Sequence, residues 1–123
     1  MTEDELQALL ERTLPPADLH GVIVEEIEEQ GVRLRFPGGA GGGSQARLLA
    51  FIDAALRAAV LPTEVVVSNL NVTFLKAAGK GDAIALARVL RRGGDTVHAE
   101  AWLFSHAAID PVAHATASLK IDL

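Results

Sequence analysis

The sequence contains no cysteine among its 123 residues. Disulfides, thiolate metal sites and cysteine nucleophiles are therefore excluded, and the absence fits a reducing compartment. A long basic run is also missing: 11 lysines and arginines stand against 16 acidic residues, for a net charge of −5. Such a chain is a poor partner for nucleic acid, and an anionic ligand would need a local basic patch. Lys76, Lys80, Arg91 and Arg92 are the basic side chains available for phosphates. No apolar run is long enough to span a bilayer, since the longest, Leu48 to Leu61, is broken by Asp53 and Arg57. Met1 is followed by the acidic Thr2-Glu3-Asp4-Glu5 and not by a basic n-region, so no secretory signal is expected. The chain reads as soluble and cytoplasmic, without a membrane partner. His20, His98, His106 and His114 lack metal-ligand spacing, so neither a metal nor a cofactor is expected.

What is present is apolar residue in quantity, 50% of the chain. That is enough for one domain over residues 1–123 with a core that needs no staples. Thr2 and Glu5 form a capping box, and Leu6, Leu9, Leu10 and Leu14 recur at helical spacing, which predicts a helix at about 3–14. Gly21 to Ile27 and Gly31 to Phe36 are β-rich runs around Glu28-Glu29-Gln30, a predicted hairpin. A glycine-rich stretch, Pro37 to Gly43, leads to Ser44, a good N-cap for a central helix at about 44–60 that Pro62 ends. Strand-like segments follow at Val65 to Lys76, Ala83 to Arg91, Thr96 to Ser105 and Val112 to Ile121. The intervals are too short for crossover helices, so an antiparallel meander is expected. In the first segment strict alternation puts Val66, Ser68, Leu70, Val72 and Phe74 on one face, and Val67, Asn69, Asn71, Thr73 and Leu75 on the other. In the third, His98, Glu100, Trp102, Phe104 and His106 share a face too apolar for bare solvent, which suggests a subunit contact.

From Ala46 to Val60 only Arg47, Asp53 and Arg57 are polar, which predicts a helix buried nearly all round. Ala46, Ala50, Ala54 and Ala55 allow a sheet to approach it closely. A helix inside an antiparallel sheet that follows it in sequence is an α+β hotdog architecture. A cystatin-like α+β cone is the structural alternative, but it usually places its long helix first. Asp53 with Arg57 at i+4 could be an ordinary helix ion pair. In a buried helix, however, a carboxylate costs several kcal/mol unless it is paired or used, and burial raises its pKa towards a general base's range. The free N–H groups and positive dipole end at the start of the central helix suit an oxyanion or a phosphate. Gly41 to Ala46 also fits a loose dinucleotide pattern, but no βαβ unit follows.

An ordered series then becomes specific: a glycine-containing loop, a helix with an acid on its third turn, Asn69-Leu70-Asn71-Val72-Thr73-Phe74-Leu75-Lys76, Gly81-Asp82, and Asp110-Pro111-Val112-Ala113-His114-Ala115-Thr116-Ala117. Over roughly residues 20–121 it resembles the PaaI-type hotdog acyl-CoA thioesterases. The resemblance implies acyl-CoA or acyl-carrier substrates and a homodimer, or a homotetramer built from dimers. It places the catalytic acid on Asp53 and the oxyanion hole on the backbone N–H of Gln45. Ser44, Ala46, Asn69, Asn71 and Arg57 become substrate-binding candidates. The family's usual His-Gly-Gly falls on Ser44, Gln45 and Ala46, and a subgroup carrying Ser-Gly-Pro shares only Ser44. A supporting hydroxyl of the next strand falls on Val67, with Ser68 beside it on the opposite face. The competing reading is a non-catalytic acyl-CoA-binding or interaction module on the same fold. A hotdog hydratase needs a histidine soon after its acid, and none occurs between His20 and His98.

Overall fold

The computed structural model describes residues 1–13, 21–38, 45–77, 81–105 and 109–121. The first helix, α1 (Glu3–Thr13), starts on the expected capping box: the Glu5 N–H donates to Thr2 Oγ1 at 3.2 Å, and the Thr2 N–H donates to Glu5 Oε1 at 3.4 Å. Leu6 and Leu10 enter the core. The Gln7 side-chain amide lies along the edge of β1 (Ile23–Glu28), donating to the Val22 carbonyl at 2.9 Å and accepting from the Val24 N–H at 2.7 Å. One side chain thus stands in for a neighbouring strand on an otherwise open edge.

The hairpin forms with β2 (Gly31–Phe36), its turn closed at Glu28 and Gly31. Gly31 has to be glycine, because a Cβ there would meet the Ala87 carbonyl oxygen at 2.4 Å. After α2 (Gln45–Ala58) come β3 (Val65–Phe74), β4 (Ala83–Gly93), β5 (Thr96–Ser105) and β6 (Pro111–Ile121). Every pairing is antiparallel and the sheet order is β1-β2-β4-β5-β6-β3. The expected four-strand meander is therefore a three-strand one. The edges of β4 are taken by β2 and β5, so β3 joins the sheet on the free edge of β6.

The sheet wraps around α2, which packs on β2, β4 and β5. This is the hotdog fold. Leu48, Phe51, Ile52, Ala55 and Leu56 of α2 meet Leu34 and Phe36 of β2, the alanines of β4 to β6, and Leu103 and Leu119 in one core. Alanines at 83, 85, 87, 99, 101, 113, 115 and 117 make a sheet face thin enough for the helix to settle close to the backbone. The Phe36 and Phe51 rings lie 5.3 Å apart at 54°, and the Arg47 guanidinium covers the Phe36 ring at 5.0 Å.

One expectation is corrected. A bulge at Ser68, between the Val67–Leu119 and Asn69–Ser118 partners, changes the alternation of β3 partway along. Val65 and Val67 consequently share the inner side with Leu70, Val72 and Phe74, while Val66 is exposed. The outer face of β5 carries an ion-paired carboxylate and a ring contact. Glu100 is buried there, accepting from Arg88 Nε at 2.6 Å and paired with His114 Nε2 at 3.0 Å, and the Trp102 ring lies 4.0 Å from that of His114. The hydrogen bond from His114, then the Arg88 guanidinium, hold the Glu100 carboxyl below the usual carboxylate range in spite of its burial.

A carboxyl lowered by folding stabilises the fold fully above its unfolded value, and that stability is lost as pH falls through the folded value. Glu100→Gln should lose about 1.5–3 kcal/mol at neutral pH, the scale of a hydrogen bond to a charged group. Its unfolding free energy should also fall less steeply than the parent's as pH drops below the ordinary value of 4.5. Urea titrations at several pH values measure both, and parallel pH profiles would contradict the assignment.

Candidate functional site

The helix α2 is not buried all round. The single chain covers one side of it and leaves Gln45, Ala46, Arg47 and Leu49 exposed, with Ala50, Asp53 and Arg57 partly so. The reason is the i, i+4 geometry of a helix: the Leu48–Ile52–Leu56 row faces the sheet, while the Leu49–Asp53–Arg57 row lies about 100° round the helix, outside the sheet's cover. An open strip with a carboxylate at its centre therefore lies outside the chain's own core.

Asp53 is the corrected element. Its side chain is 36% exposed, and Arg57 Nε donates to it at 3.1 Å to Oδ2 and 3.3 Å to Oδ1. In the single chain this carboxylate is solvated and paired, so burial is not what sets its character. Arg57 also donates through Nη1 to the Val65 carbonyl at 3.2 Å, tying the end of α2 to the start of β3. The acid is thereby oriented by a residue that is itself anchored to the sheet.

Gln45 is the first residue of α2 and is exposed. The first N–H groups of a helix have no intrahelical acceptor, and the helix dipole adds positive potential there. Ala46 lies beside it, while Ser44 lies outside the described residues. Asn69 and Asn71 sit on the exposed side of β3, with Asn71 Nδ2 donating to Asn69 Oδ1 at 2.8 Å. They belong to the edge strand and not to the α2 strip. Of the basic candidates for phosphate, Lys76, Arg91 and Arg92 are exposed, and Lys80 lies outside the described residues.

The helix geometry sets a distance that matters for any chemistry. Gln45 and Asp53 are eight residues apart, which is about 12 Å of helix axis at about 1.5 Å per residue. A reacting carbonyl needs its oxyanion donor and its attacking group each at about 3 Å. Within one chain the two groups are therefore too far apart to serve the same carbonyl directly.

Sequence reading missed Asp82 as more than a turn residue. Its Oδ2 accepts from Arg35 Nε and Nη2, both at 2.7 Å, and its Oδ1 accepts from the Gly38 N–H at 2.8 Å. Gly38, at φ 69°, thus leaves β2 in a conformation suited to glycine and pinned to the start of β4. The available signal was the alternation of Arg33 and Arg35 with Val32, Leu34 and Phe36, which puts both arginines on the outer face towards a carboxylate. Among the described residues there is no group of three or more His, Asp or Glu side chains placed to hold a metal ion, and no helix is long and apolar enough to cross a membrane.

The sequence profile of the thioesterase superfamily matches residues 45–106, half of the chain. The matched span begins at Gln45 and contains Asp53, Arg57, Asn69 and Asn71. Among solved structures, zebrafish thioesterase superfamily member 2 is 18% identical with a TM-score of 0.82, over 98% of this chain and 95% of that one. A thioesterase from Haemophilus influenzae is 14% identical with a TM-score of 0.81, over 99% and 91%. A phenylacetic acid degradation-related protein from Ralstonia eutropha is 21% identical with a TM-score of 0.74, over 94% and 98%. At these identities the likeness is one of fold. No curated protein matches the chain.

An exposed i, i+4 ion pair contributes little to stability. Asp53→Asn should therefore change the urea unfolding free energy by less than about 0.5 kcal/mol. A loss of several kcal/mol would make the Asp53–Arg57 pair a structural element in its own right.

Proposed function

This chain belongs to the thioesterase superfamily, and we propose that it hydrolyses the thioester of an acyl-CoA or acyl-carrier substrate to the free acid and the thiol. The observation that supports this most is the open strip of α2, where a carboxylate held by Arg57 and a free helix start lie on the matched segment. The reading extends the resemblance to PaaI-type members.

In the proposed reaction, Asp53 takes a proton from water as the water oxygen bonds to the thioester carbonyl carbon. The carbonyl becomes a tetrahedral oxyanion that accepts a hydrogen bond from the Gln45 N–H. Collapse of that intermediate breaks the C–S bond, and the thiolate recovers the proton from Asp53. Such an oxyanion donor is a backbone group, so glutamine can replace the family's usual glycine if its side chain points aside.

The distance of about 12 Å along α2 supports taking the two groups from different subunits. We place the Gln45 N–H of one subunit against the Asp53 of another, in a homodimer or a tetramer built from dimers. Two features that no described residue covers support a second copy: the strip of α2 just described, and β3, which among the described strands pairs only with β6 and carries exposed Val66, Asn69 and Asn71. The competing reading on the same fold is a module that binds acyl-CoA without turnover, in which Asp53 serves as the ion-pair partner of Arg57.

Asp53→Asn should keep the fold and remove most turnover, since the amide cannot take the proton. Gln45→Pro deletes the N–H at a helix start, where proline is well tolerated, so it should stay folded and lose about two to three orders of magnitude in kcat. Gln45→Ala, which keeps the N–H, should lose much less. Steady-state hydrolysis of an acyl-CoA panel checks all three. A parent protein that binds acyl-CoA without turning it over establishes the binding module instead.

A further inference from the structure

A half-open cavity of about 260 Å³ lies between the end of α1, the second half of α2 and the start of β3. Its apolar lining comes from Leu10, Ala54, Leu61 and Val65, and its polar lining includes Arg57, Thr63 and the Glu64 carboxylate. Arg57 is shared between this lining and the Asp53 carboxylate, so the cavity begins one side chain away from the candidate acid. Ala54, the residue after Asp53, forms part of the wall with the smallest chiral side chain, which leaves that space open.

We infer that this cavity receives the acyl end of the thioester and restricts it to a short chain; the inference rests on the hydrolysis proposed above. Size decides the class. Drug-sized ligands occupy pockets of about 300–1,000 Å³, so 260 Å³ falls just below that range. At about 30 Å³ for a water-sized group it holds roughly nine such groups, which suits an acyl chain of about four to eight carbons and not one of sixteen. The lining fits the same occupant. Leu10, Leu61 and Val65 offer apolar contact to the chain, while Arg57 faces the end at which the carbonyl must meet an acid.

Two substitutions outside the Asp53 and Gln45 machinery test the cavity. Thr63→Phe narrows it from a partly exposed position, and Leu61→Ala enlarges it from a half-buried one. The parent should show its highest kcat/KM between butyryl- and octanoyl-CoA, with palmitoyl-CoA lower by at least about tenfold, a typical loss when a chain does not fit an apolar pocket. Thr63→Phe should lower hexanoyl-CoA hydrolysis by about tenfold while acetyl-CoA stays within about twofold, and Leu61→Ala should move the optimum to longer chains. Thermal melts confirm that each variant is folded, and if Thr63→Phe is not, Leu61→Ala decides alone. Calorimetry with the hexanoyl thioether of coenzyme A, against free coenzyme A, supplies a second readout that needs no turnover. An active parent whose chain-length profile neither variant alters overturns the cavity assignment and leaves hydrolysis standing. An inactive parent whose thioether affinity still falls in Thr63→Phe supports the cavity and removes hydrolysis.

Discussion

A straight helix locked under a sheet is the constraint on which the rest depends. The helix α2 buries Leu48, Phe51, Ile52, Ala55 and Leu56 against the alanine-lined face of the central strands, so it can neither bend nor slide without opening the core. Its two chemically interesting positions, the Gln45 N–H at its first residue and Asp53 two turns on, are therefore held at a fixed separation along its axis. In the proposed hydrolysis that separation calls for a second chain. The same packing leaves the Leu49–Asp53–Arg57 side of α2 uncovered among the described residues, which is where the proposed second chain would lie.

Charge is used differently on the two faces of the sheet. The inner face is apolar throughout, and among the described residues no buried side-chain nitrogen or oxygen lacks a partner. The outer face carries linked ion pairs. Glu25 joins Arg33 and Arg35, Arg35 reaches Asp82, and Asp82 holds the Gly38 N–H, so β1, β2, the start of β4 and the chain leaving β2 are tied together. Further along, Arg88, Glu100 and His114 tie β4, β5 and β6. The more exposed pairs around Glu25 and Asp82 add little energy singly, whereas the buried Glu100 contributes more. Their effect is to fix register and to anchor the chain on its way towards α2.

Much of this was legible in the sequence. The capping box at Thr2 and Glu5, the β1–β2 hairpin and the apolar run of α2 all have local causes, and each was read correctly from spacing. The resemblance in ordered motifs pointed to the hotdog fold, and the profile match carried the family. What failed depended on non-local facts. Nothing in residues 65–76 announces that β4 will already be flanked by β2 and β5, so the position of β3 beside β6 could not be read locally. The Ser68 bulge breaks an alternation that looks regular on paper. Asp53 was expected to be buried because its helix is apolar, but an apolar helix can save one flank for a partner. The reach of Asp82 to Gly38 spans 44 residues, beyond any spacing argument.

The central claim, that the oxyanion donor and the acid of one site come from different subunits, is tested most directly by mixing two inactive proteins. Asp53→Asn keeps a working Gln45 N–H, and Gln45→Pro keeps a working Asp53. If sites cross the two-fold axis, a mixed dimer regains one intact site and one doubly damaged site. Unfolding and refolding the two variants together at equal amounts should therefore recover about a quarter of the parent activity, because about half of the dimers are mixed and each has one of its two sites intact. Mixed dimers that form, as seen with differently tagged chains, and yet show no more activity than the separate variants would place both groups in the same subunit and contradict the account.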